Sequence, residues 1–426
     1  MLDRIQAPEF KTIDKIVIPH AVAGKLDNGI PVYTIDAGSQ ELTKIEFIFN
    51  AGMYYQDMPL LASAANNLLE TGTSKYTADE LSDNIDFYGS FFECNVGQDF
   101  SSIVLYSLNK YLESTIVYVE DILKNATFPQ NEFDIYLSNK RQKFLVNTQK
   151  VNVLARRKYG ELIFGEKHPY GIDVKLEDYD KIKQEHIVEF YKKKYNSANC
   201  SIVASGKLAP NLISVLNQHF GKEAWGIANK PVVDAGPAMQ NKQQKHFIEK
   251  ADAIQSAIRV GRLLFNKKHE DYFKFQVLNS VLGGYFGSRL MANIREDKGY
   301  TYGIGSGLSS LTNAGYFYIS TEVGSDVTTN TLEEIYKEIK ILREDLIPEQ
   351  ELEVVRNYIL GQFLRSVDGP FALADKFKAV WEFGLDYNYF DRYFDAVKHV
   401  TPAELREVAN KYWQEKDLIE LVVGKK

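Results

Sequence analysis

The 426-residue sequence has few of the residues from which disulfide-rich and zinc-finger domains are built. It contains two cysteines, Cys94 and Cys200, which are too few for a disulfide framework or a zinc site made of thiolates. A free cysteine is usually buried and unreactive, so neither residue predicts a catalytic thiol. No apolar run reaches the 18 residues that a membrane span requires, and the sequence predicts no membrane segment.

An excess of positive charge is also missing. Lys and Arg number 50 against 57 Asp and Glu, which gives a net charge of −7. Because nucleic-acid-binding proteins need a broad basic surface, we expect no nucleic-acid partner. The N-terminal segment, Met1–Pro8, lacks the basic and apolar regions of a secretory signal. The sequence therefore predicts a cytoplasmic protein.

The seven histidines do not form a metal-binding pattern. The closest pair, His168 and His186, is 18 residues apart, whereas two helical zinc ligands lie three or four residues apart on one face. The spacings HxxEH and HExxH are absent, as is the GxSxG turn of serine hydrolases. The residues therefore predict no metal bound by this chain, and each histidine is interpreted as a surface or core residue.

The chain is predicted to consist of two similar halves. Residues 225–245 are rich in Gly, Pro, Asn, Gln and Lys, which is typical of a linker. This linker would divide the chain into two domains, which we predict at residues 1–224 and 246–426. Short matches between the halves recur at an offset of 219 residues: Pro129 with Pro348, Glu132 with Glu351, Phe144-Leu145 with Phe363-Leu364, and Phe164-Gly165 with Phe383-Gly384. This regularity indicates a tandem duplication of one unit.

Each half mixes strand and helix patterns. Lys44–Asn50 alternates, with Ile45, Phe47 and Phe49 on one face, which predicts a strand. Capping boxes at Thr77–Glu80 and Thr401–Glu404 predict helix starts. Strands followed by helices within each half favour an α+β class over a doubly wound sheet. We expect two α/β sandwich domains, each with a mainly antiparallel sheet and helices on one face.

Two segments of the second half allow more than one interpretation. Gly283-Gly284 matches neither phosphate-binding glycine pattern, so a tight turn is favoured over a phosphate loop. Arg295 and Tyr302, seven residues apart, could present hydrogen-bond donors to a cavity. Alternatively, Arg295 could pair with Glu296 or Asp297 on a solvated surface, and the local sequence does not favour either interpretation.

Several segments in order resemble the pitrilysin (insulinase-like) metallopeptidases of the two-domain type, which includes the mitochondrial processing peptidase and its bacterial relatives. The segment 26–33 is similar to the family's opening hairpin, and Gly72-Thr73 with Tyr76–Gly89 is similar to the region that follows its zinc helix. The remaining matches are Phe128-Pro129 with Glu132, the turn Phe164–Gly171, and the segment from Gly283-Gly284 through Arg295 to Tyr302.

The catalytic positions depart from the family pattern. The family's HxxEH motif falls on Ser63–Asn67, so that Ser63 and Asn67 replace the two histidine ligands and Asn66 replaces the general base. The third ligand, a glutamate in the family, falls on Lys143. An ammonium group repels Zn²⁺, and an amide cannot take a proton from water. Neither Asp134 nor Glu161 restores the constellation.

The resemblance implies a role without catalysis. In the family, the residues corresponding to Arg295 and Tyr302 bind the substrate backbone and stabilise the oxyanion. The sequence therefore predicts a non-catalytic, substrate-binding subunit of a heterodimeric zinc peptidase, which forms half of a clam-shell around a peptide. A homologous partner would supply zinc and the general base. The alternatives are a structural core-type subunit and a peptide-binding protein without proteolysis.

Overall fold

The structure, a computed structural model, describes residues 16–228, 233 and 235–426. The predicted absence of a signal sequence rests on residues 1–8, which lie outside the described residues. Part of the predicted linker, residues 229–232 and 234, also lies outside them. The domain boundaries 1–224 and 246–426 stay a prediction.

The strands form two sheets, one in each half of the sequence. The first sheet has the order β1-β2-β6-β3-β5-β4 and the second has the order β7-β11-β8-β10-β9. The strands are β1 Val22–Lys25, β2 Pro31–Asp36, β3 Leu42–Phe49, β4 Phe91–Val96, β5 Ser101–Leu108, β6 Cys200–Gly206, β7 Lys245–Glu249, β8 Gln255–Leu264, β9 Ile304–Ser310, β10 Gly315–Gly324 and β11 Ile419–Gly424. In each sheet, one pair of neighbouring strands is parallel and the other pairs are antiparallel.

The helices follow the same order in both halves. They are α1 Leu61–Asn67, α2 Ala78–Phe87, α3 Leu112–Asn125, α4 Gln130–Asn147, α5 Val151–Phe164, α6 Asp178–Lys181, α7 Gln184–Lys194, α8 Leu212–Leu216, α9 Tyr272–Gly283, α10 Thr328–Glu344, α11 Glu349–Arg365, α12 Pro370–Trp381, α13 Asn388–His399 and α14 Pro402–Tyr412. Both predicted capping boxes form, at the starts of α2 and α14. The predicted α+β class is confirmed.

The apolar face of each sheet is covered by helices of its own half. In the first half, Ile45, Phe47 and Phe49 of β3 are fully buried in a core shared with α1, α3 and α7. This is the alternating face that the sequence predicted. In the second half, Val260 of β8 and Phe317 of β10 lie in the corresponding core with α9 and α10.

The opposite face of each sheet is covered by a helix from the other half. Helix α5 of the first half packs on β8 and β11, and helix α12 of the second half packs on β6 and β2. Gly261 of β8 permits the close approach of α5, because a Cβ atom there would lie 2.4 Å from the Tyr159 hydroxyl. The two halves therefore exchange equivalent helices, which the sequence analysis did not predict.

The turn after α5 also joins the halves. The Tyr170 hydroxyl donates to one carboxylate oxygen of Asp99, in the turn between β4 and β5. The other oxygen accepts the backbone N–H of Thr312, in the turn between β9 and β10, at 3.0 Å. His168 is buried and its Nδ1 accepts the N–H of Tyr170 at 3.2 Å. The predicted Phe164–Gly171 turn thus fixes one end of each sheet against the other.

No helix among the described residues combines the length and the hydropathy that crossing a membrane requires.

Candidate functional site

The three degenerate positions of the first half lie on the short helix α1. Most of their polar groups bond within the fold, but the buried Nδ2 of Asn66 has no hydrogen-bond partner among the described residues. The Ser63 hydroxyl donates to the carbonyl of Leu60 at 2.9 Å, and Asn67 Nδ2 donates to the carbonyl of Ser63 at 2.6 Å. Asn66 is fully buried, and its Oδ1 accepts the hydroxyl of Tyr195 at 3.0 Å. These groups therefore serve the packing of α1 against its neighbours.

Helix α4 covers these positions with Tyr136. Burial raises the pKa of Tyr136 to about 12, and its buried hydroxyl has no hydrogen-bond partner among the described residues. The tyrosine ring thus occupies the space beside α1. Lys143 lies seven residues further along α4, on the same face, and its side chain is exposed.

A zinc ion does not fit this set of donors. Zinc sites use thiolates, imidazoles and carboxylates, whereas Ser63, Asn66 and Asn67 offer a hydroxyl and two amides, and Lys143 offers an ammonium group. Within residues 16–228, 233 and 235–426, no group of three or more His, Cys, Asp and Glu side chains is placed to hold a metal ion. Burial also raises the pKa of both thiols, Cys94 and Cys200, which disfavours the thiolate form.

Arg295 lies in a short π-helix, Met291–Asp297, after α9. Its guanidinium group is 4.7 Å from the centre of the Phe286 ring, and Phe286 is itself 63% exposed. Among the described residues, Arg295 forms no ion pair with Glu296 or Asp297, the two carboxylates with which the sequence allowed it to pair.

Tyr302 stands at the start of the edge strand β9 with 97% of its surface exposed. The loop that carries it is fixed on both sides. The Thr301 hydroxyl donates to the carbonyl of Glu322 at 2.7 Å, and the Thr321 hydroxyl donates to the carbonyl of Gly303 at 3.0 Å. An aromatic side chain is therefore held in solvent by a rigid support.

A cavity of about 420 Å³, here called the Tyr302 cavity, lies beside this tyrosine. Arg259 of β8 lines it, with its guanidinium carbon 5.9 Å from the centres of both the Tyr159 and Tyr318 rings. Burial lowers the pKa of Arg259, and the neighbouring tyrosines oppose that decrease. The sequence analysis missed Arg259, although a charged residue within the apolar strand Ala257–Arg262 was a signal that could have identified it.

A second cavity of about 700 Å³, here called the central cavity, lies between α4, α5 and the second sheet. Lys143 of α4 and Arg156 of α5 line it, together with Tyr316 of β10. The structure thus brings Lys143 to this cavity and Tyr302 to the other, and α5 contributes residues to both. Ser63, Asn66, Asn67 and Arg295 line neither of these two cavities.

Gly283 and Gly284 form the tight turn that the sequence favoured. A Cβ atom on Gly283 would lie 2.8 Å from the backbone nitrogen of Ser306, and one on Gly284 would lie 2.7 Å from the Cα of Ser280. Glycine is therefore needed for the end of α9 to pack against β9. This packing places the segment that carries Arg295 and Tyr302.

Comparison with known proteins agrees with this picture. Residues 181–359 match the family model described as the peptidase M16 inactive domain; M16 is the family of the pitrilysin-like peptidases. An uncharacterized zinc protease, YmxG of Bacillus subtilis, is 23% identical over 70% of this chain and 72% of its own length. The non-peptidase homolog YmxG of Helicobacter pylori is 21% identical over 86% of this chain and 84% of its own length.

A solved structure shares the fold over nearly the whole chain. The peptidase M16 inactive domain from Pseudomonas fluorescens superimposes with a TM-score of 0.82 at 20% identity, covering 95% of this chain and 98% of its own. Together with the sequence matches, this likeness confirms the resemblance to the pitrilysin-like peptidases and supports a non-catalytic member. Residues 181–359 are similar to the peptidase M16 inactive domain, and the chain shares the fold of an M16 inactive-domain structure.

Proposed function

We propose that this chain is the non-catalytic, substrate-binding subunit of a heterodimeric zinc peptidase. A homologous partner subunit supplies Zn²⁺, the activated water and the general base, and the two chains form the halves of a clam-shell around a peptide. Each half of this chain, 1–224 and 246–426, contributes one sandwich domain, joined by the linker 225–245. The assembly acts in the cytoplasm.

The contrast between the two parts of the site carries the proposal. The positions of two zinc ligands and of the general base in the family are filled here by groups that bond to Leu60, Ser63 and Tyr195 within the fold. Arg295 and Tyr302, by comparison, have no hydrogen bond or ion pair among the described residues, and Tyr302 is 97% exposed. Groups held in solvent by a rigid support are available to a ligand or a second chain.

The sheet edge beside Tyr302 supports peptide binding. Strand β9 pairs with β10 on one side, and its other edge has no strand partner among the described residues. An extended peptide can add to such an edge through backbone hydrogen bonds. Such bonds recognise the peptide main chain and depend little on its sequence. Tyr302, directly before β9, would lie at the end of that added strand, where Arg295 and Tyr302 act as substrate-binding donors.

The test begins with the intact assembly. The chain is purified from its native cells, and a co-eluting protein of equal amount that carries HxxEH is identified by mass spectrometry. Peptide cleavage by the complex is then compared between wild type and Arg295→Ala. Loss of one donor to a developing oxyanion lowers kcat by about 100- to 1000-fold, and we expect a loss of that order with assembly unchanged in size-exclusion chromatography.

Arg365→Ala is the matched control, because Arg365 is exposed and makes no ion pair among the described residues. It should cleave peptides as fast as wild type. Activity of Arg295→Ala equal to that of the control would exclude the assigned role. A co-purifying assembly without an HxxEH subunit would instead favour the structural core-type alternative.

A further inference from the structure

The central cavity carries positive charge that the chain itself does not neutralise. Lys140 and Lys143 of α4 and Arg156 of α5 line it, and none of the three forms an ion pair or a side-chain hydrogen bond among the described residues. Asp173 is the single acidic residue among the described residues that line the cavity, and it pairs with Arg157 at 2.6 Å. Three cations are thus left without a counter-charge.

Two of these cations are close enough to affect one another. Lys140 and Lys143 are three residues apart and share one face of α4. Burial lowers the pKa of the Lys140 amine, and the charge of Lys143 lowers it further. The charge of Arg156 similarly contributes to lowering the pKa of Arg259, in the neighbouring Tyr302 cavity. A series of positive groups therefore leads from α4 past α5 toward Tyr302.

The local charge is opposite to that of the chain, whose net charge is −7. Placing like charges together costs free energy in the free protein. A ligand that brings negative charge between Lys140, Lys143 and Arg156 removes this repulsion on binding. The cations thus favour an anionic occupant over a neutral or cationic one.

We propose that the central cavity selects acidic peptides, whose carboxylates pair with Lys140, Lys143 and Arg156. This inference rests on the proposed peptide-binding role and names its substrate class. Lys143 is part of this proposed site. The residue that replaces a metal-binding glutamate of the family would here contact the substrate instead.

The shape and lining of the cavity favour a peptide over a small phosphate. A volume of about 700 Å³ accommodates several residues of an extended chain. Apolar and aromatic groups such as Phe144, Leu311 and Tyr316 line the same space, so neighbouring side chains of a peptide can be buried while its carboxylates are paired. Ser309 at the end of β9 also borders the cavity, which connects it to the sheet edge on which a peptide would add.

Binding to the isolated full-length chain tests this inference without a partner or zinc. Fluorescence anisotropy compares a labelled peptide rich in glutamate with its glutamine and lysine analogues. Partly exposed ion pairs are individually weak, so with three of them we expect the glutamate peptide to bind about tenfold more tightly than the glutamine peptide. The preference should decrease as salt is raised, because salt screens the charges.

Variants then locate the effect. Lys140→Gln, Lys143→Gln and Arg156→Gln combined should abolish the preference, and the exposed Lys143→Gln alone should reduce it about threefold. The control combines Lys192→Gln, Lys222→Gln and Lys242→Gln, three exposed lysines that do not line the cavity and form no ion pair among the described residues. It makes the same change in net charge and should retain the full preference.

The outcomes separate this inference from the proposed function. Equal binding of all three peptides would overturn the acidic preference and leave the peptide-binding role intact. Competition by tripolyphosphate or a single-stranded oligonucleotide at equal affinity would overturn the assignment to peptides. Absence of peptide binding would overturn the inference, whereas the proposed function is decided by the activity of the Arg295→Ala complex.

Discussion

The two exchanged helices occupy equivalent places and make chemically different contacts. Helix α5 lies on the second sheet through buried apolar and aromatic residues, among them Ala155, Tyr159 and Ile163. Helix α12 lies on the first sheet partly through charge, because Lys378 Nζ bonds both carboxylate oxygens of Glu46 at 2.9 and 2.7 Å. One repeated architecture is thus held by apolar packing on one side and by apolar packing together with ion pairs on the other.

The charged contact is a network rather than a single pair. Glu46 and Lys44 of β3 are both buried, and their charged groups are 3.4 Å apart. Asp375 of α12 lies 3.1 Å from Lys378, and Lys267 donates to the carbonyl of Ala379 at 2.7 Å. Since buried charges are stable when they are paired, this interface depends on every member. The apolar interface has no such requirement and should be indifferent to pH.

The largest effect is expected on the apolar side. Tyr159 is 1% exposed and its hydroxyl donates to the carbonyl of Phe317 at 3.1 Å. Tyr159→Ala removes a buried aromatic ring and should lower the free energy of unfolding by about 3 to 5 kcal/mol. Tyr159→Phe keeps the ring and should cost about 1 kcal/mol. Urea unfolding measures both, and an equal cost for the two variants would show that the ring does not hold this interface.

A smaller loss is expected from the charged side. Lys378→Ala leaves buried Glu46 with Lys44 as its remaining cation, and we expect a cost of about 2 to 3 kcal/mol. Combining Lys378→Met with Glu46→Gln removes both charges and should recover most of that loss, because buried Lys44 keeps Asp375 as a partner at 3.8 Å. If the double variant is as unstable as Lys378→Ala in urea unfolding, the lost charge pair is not the cause.

The smallest effect depends on pH. Burial raises the pKa of Glu382 to about 7, and Lys378 and Lys267 oppose that increase. Between pH 4.5 and 7, the folded chain holds a proton that the unfolded chain releases, so this group's contribution to stability falls as pH rises and is lost above pH 7. Glu382→Gln should therefore gain stability over wild type across this window, by about 1 to 3 kcal/mol.

Unfolding midpoints at pH 5, 6, 7 and 8 measure this gain, with the exposed Glu407→Gln as the control for removal of one charge. A constant difference between Glu382→Gln and wild type at all four pH values would contradict the shifted pKa. The difference between Tyr159→Phe and wild type should show no trend between pH 5 and 8, because Glu382 is present in both, and this would sharpen the contrast between the two interfaces.

Local patterns in the sequence predicted those features that local physics determines. The alternation in Lys44–Asn50 predicted β3, and the capping boxes at Thr77 and Thr401 predicted the starts of α2 and α14, because short-range hydrogen bonds and side-chain periodicity decide them. The exchange of α5 and α12 depends on contacts between residues more than 100 positions apart, for which no local pattern exists.

The candidate site also has features that the sequence could predict and features that depend on distant contacts. The replacements at Ser63, Asn66, Asn67 and Lys143 could be identified by position, since the resemblance gave the register. The hydrogen bonds that these residues make could not be predicted, because the bond between Asn66 and Tyr195 joins residues that are distant in sequence. The surroundings of Arg295, left open by the sequence, depend on Phe286 being placed beside it. Arg259 was missed because its aromatic neighbours, Tyr159 and Tyr318, come from separate elements.

Because the two halves exchange helices, the first sheet cannot be fully covered until the second half has been synthesised. The last strand of the first sheet ends at Gly206, but the helix that covers one face of this sheet is completed only at Trp381. At about 5 to 20 residues per second, translation takes about 10 to 35 s to pass from the first residue to the second. During that time Ile35, Ile48 and Val203, which α12 will cover, stay open to solvent on the nascent chain. The first half thus leaves the ribosome with one face of its sheet uncovered, and that face is covered only when α12 has been made.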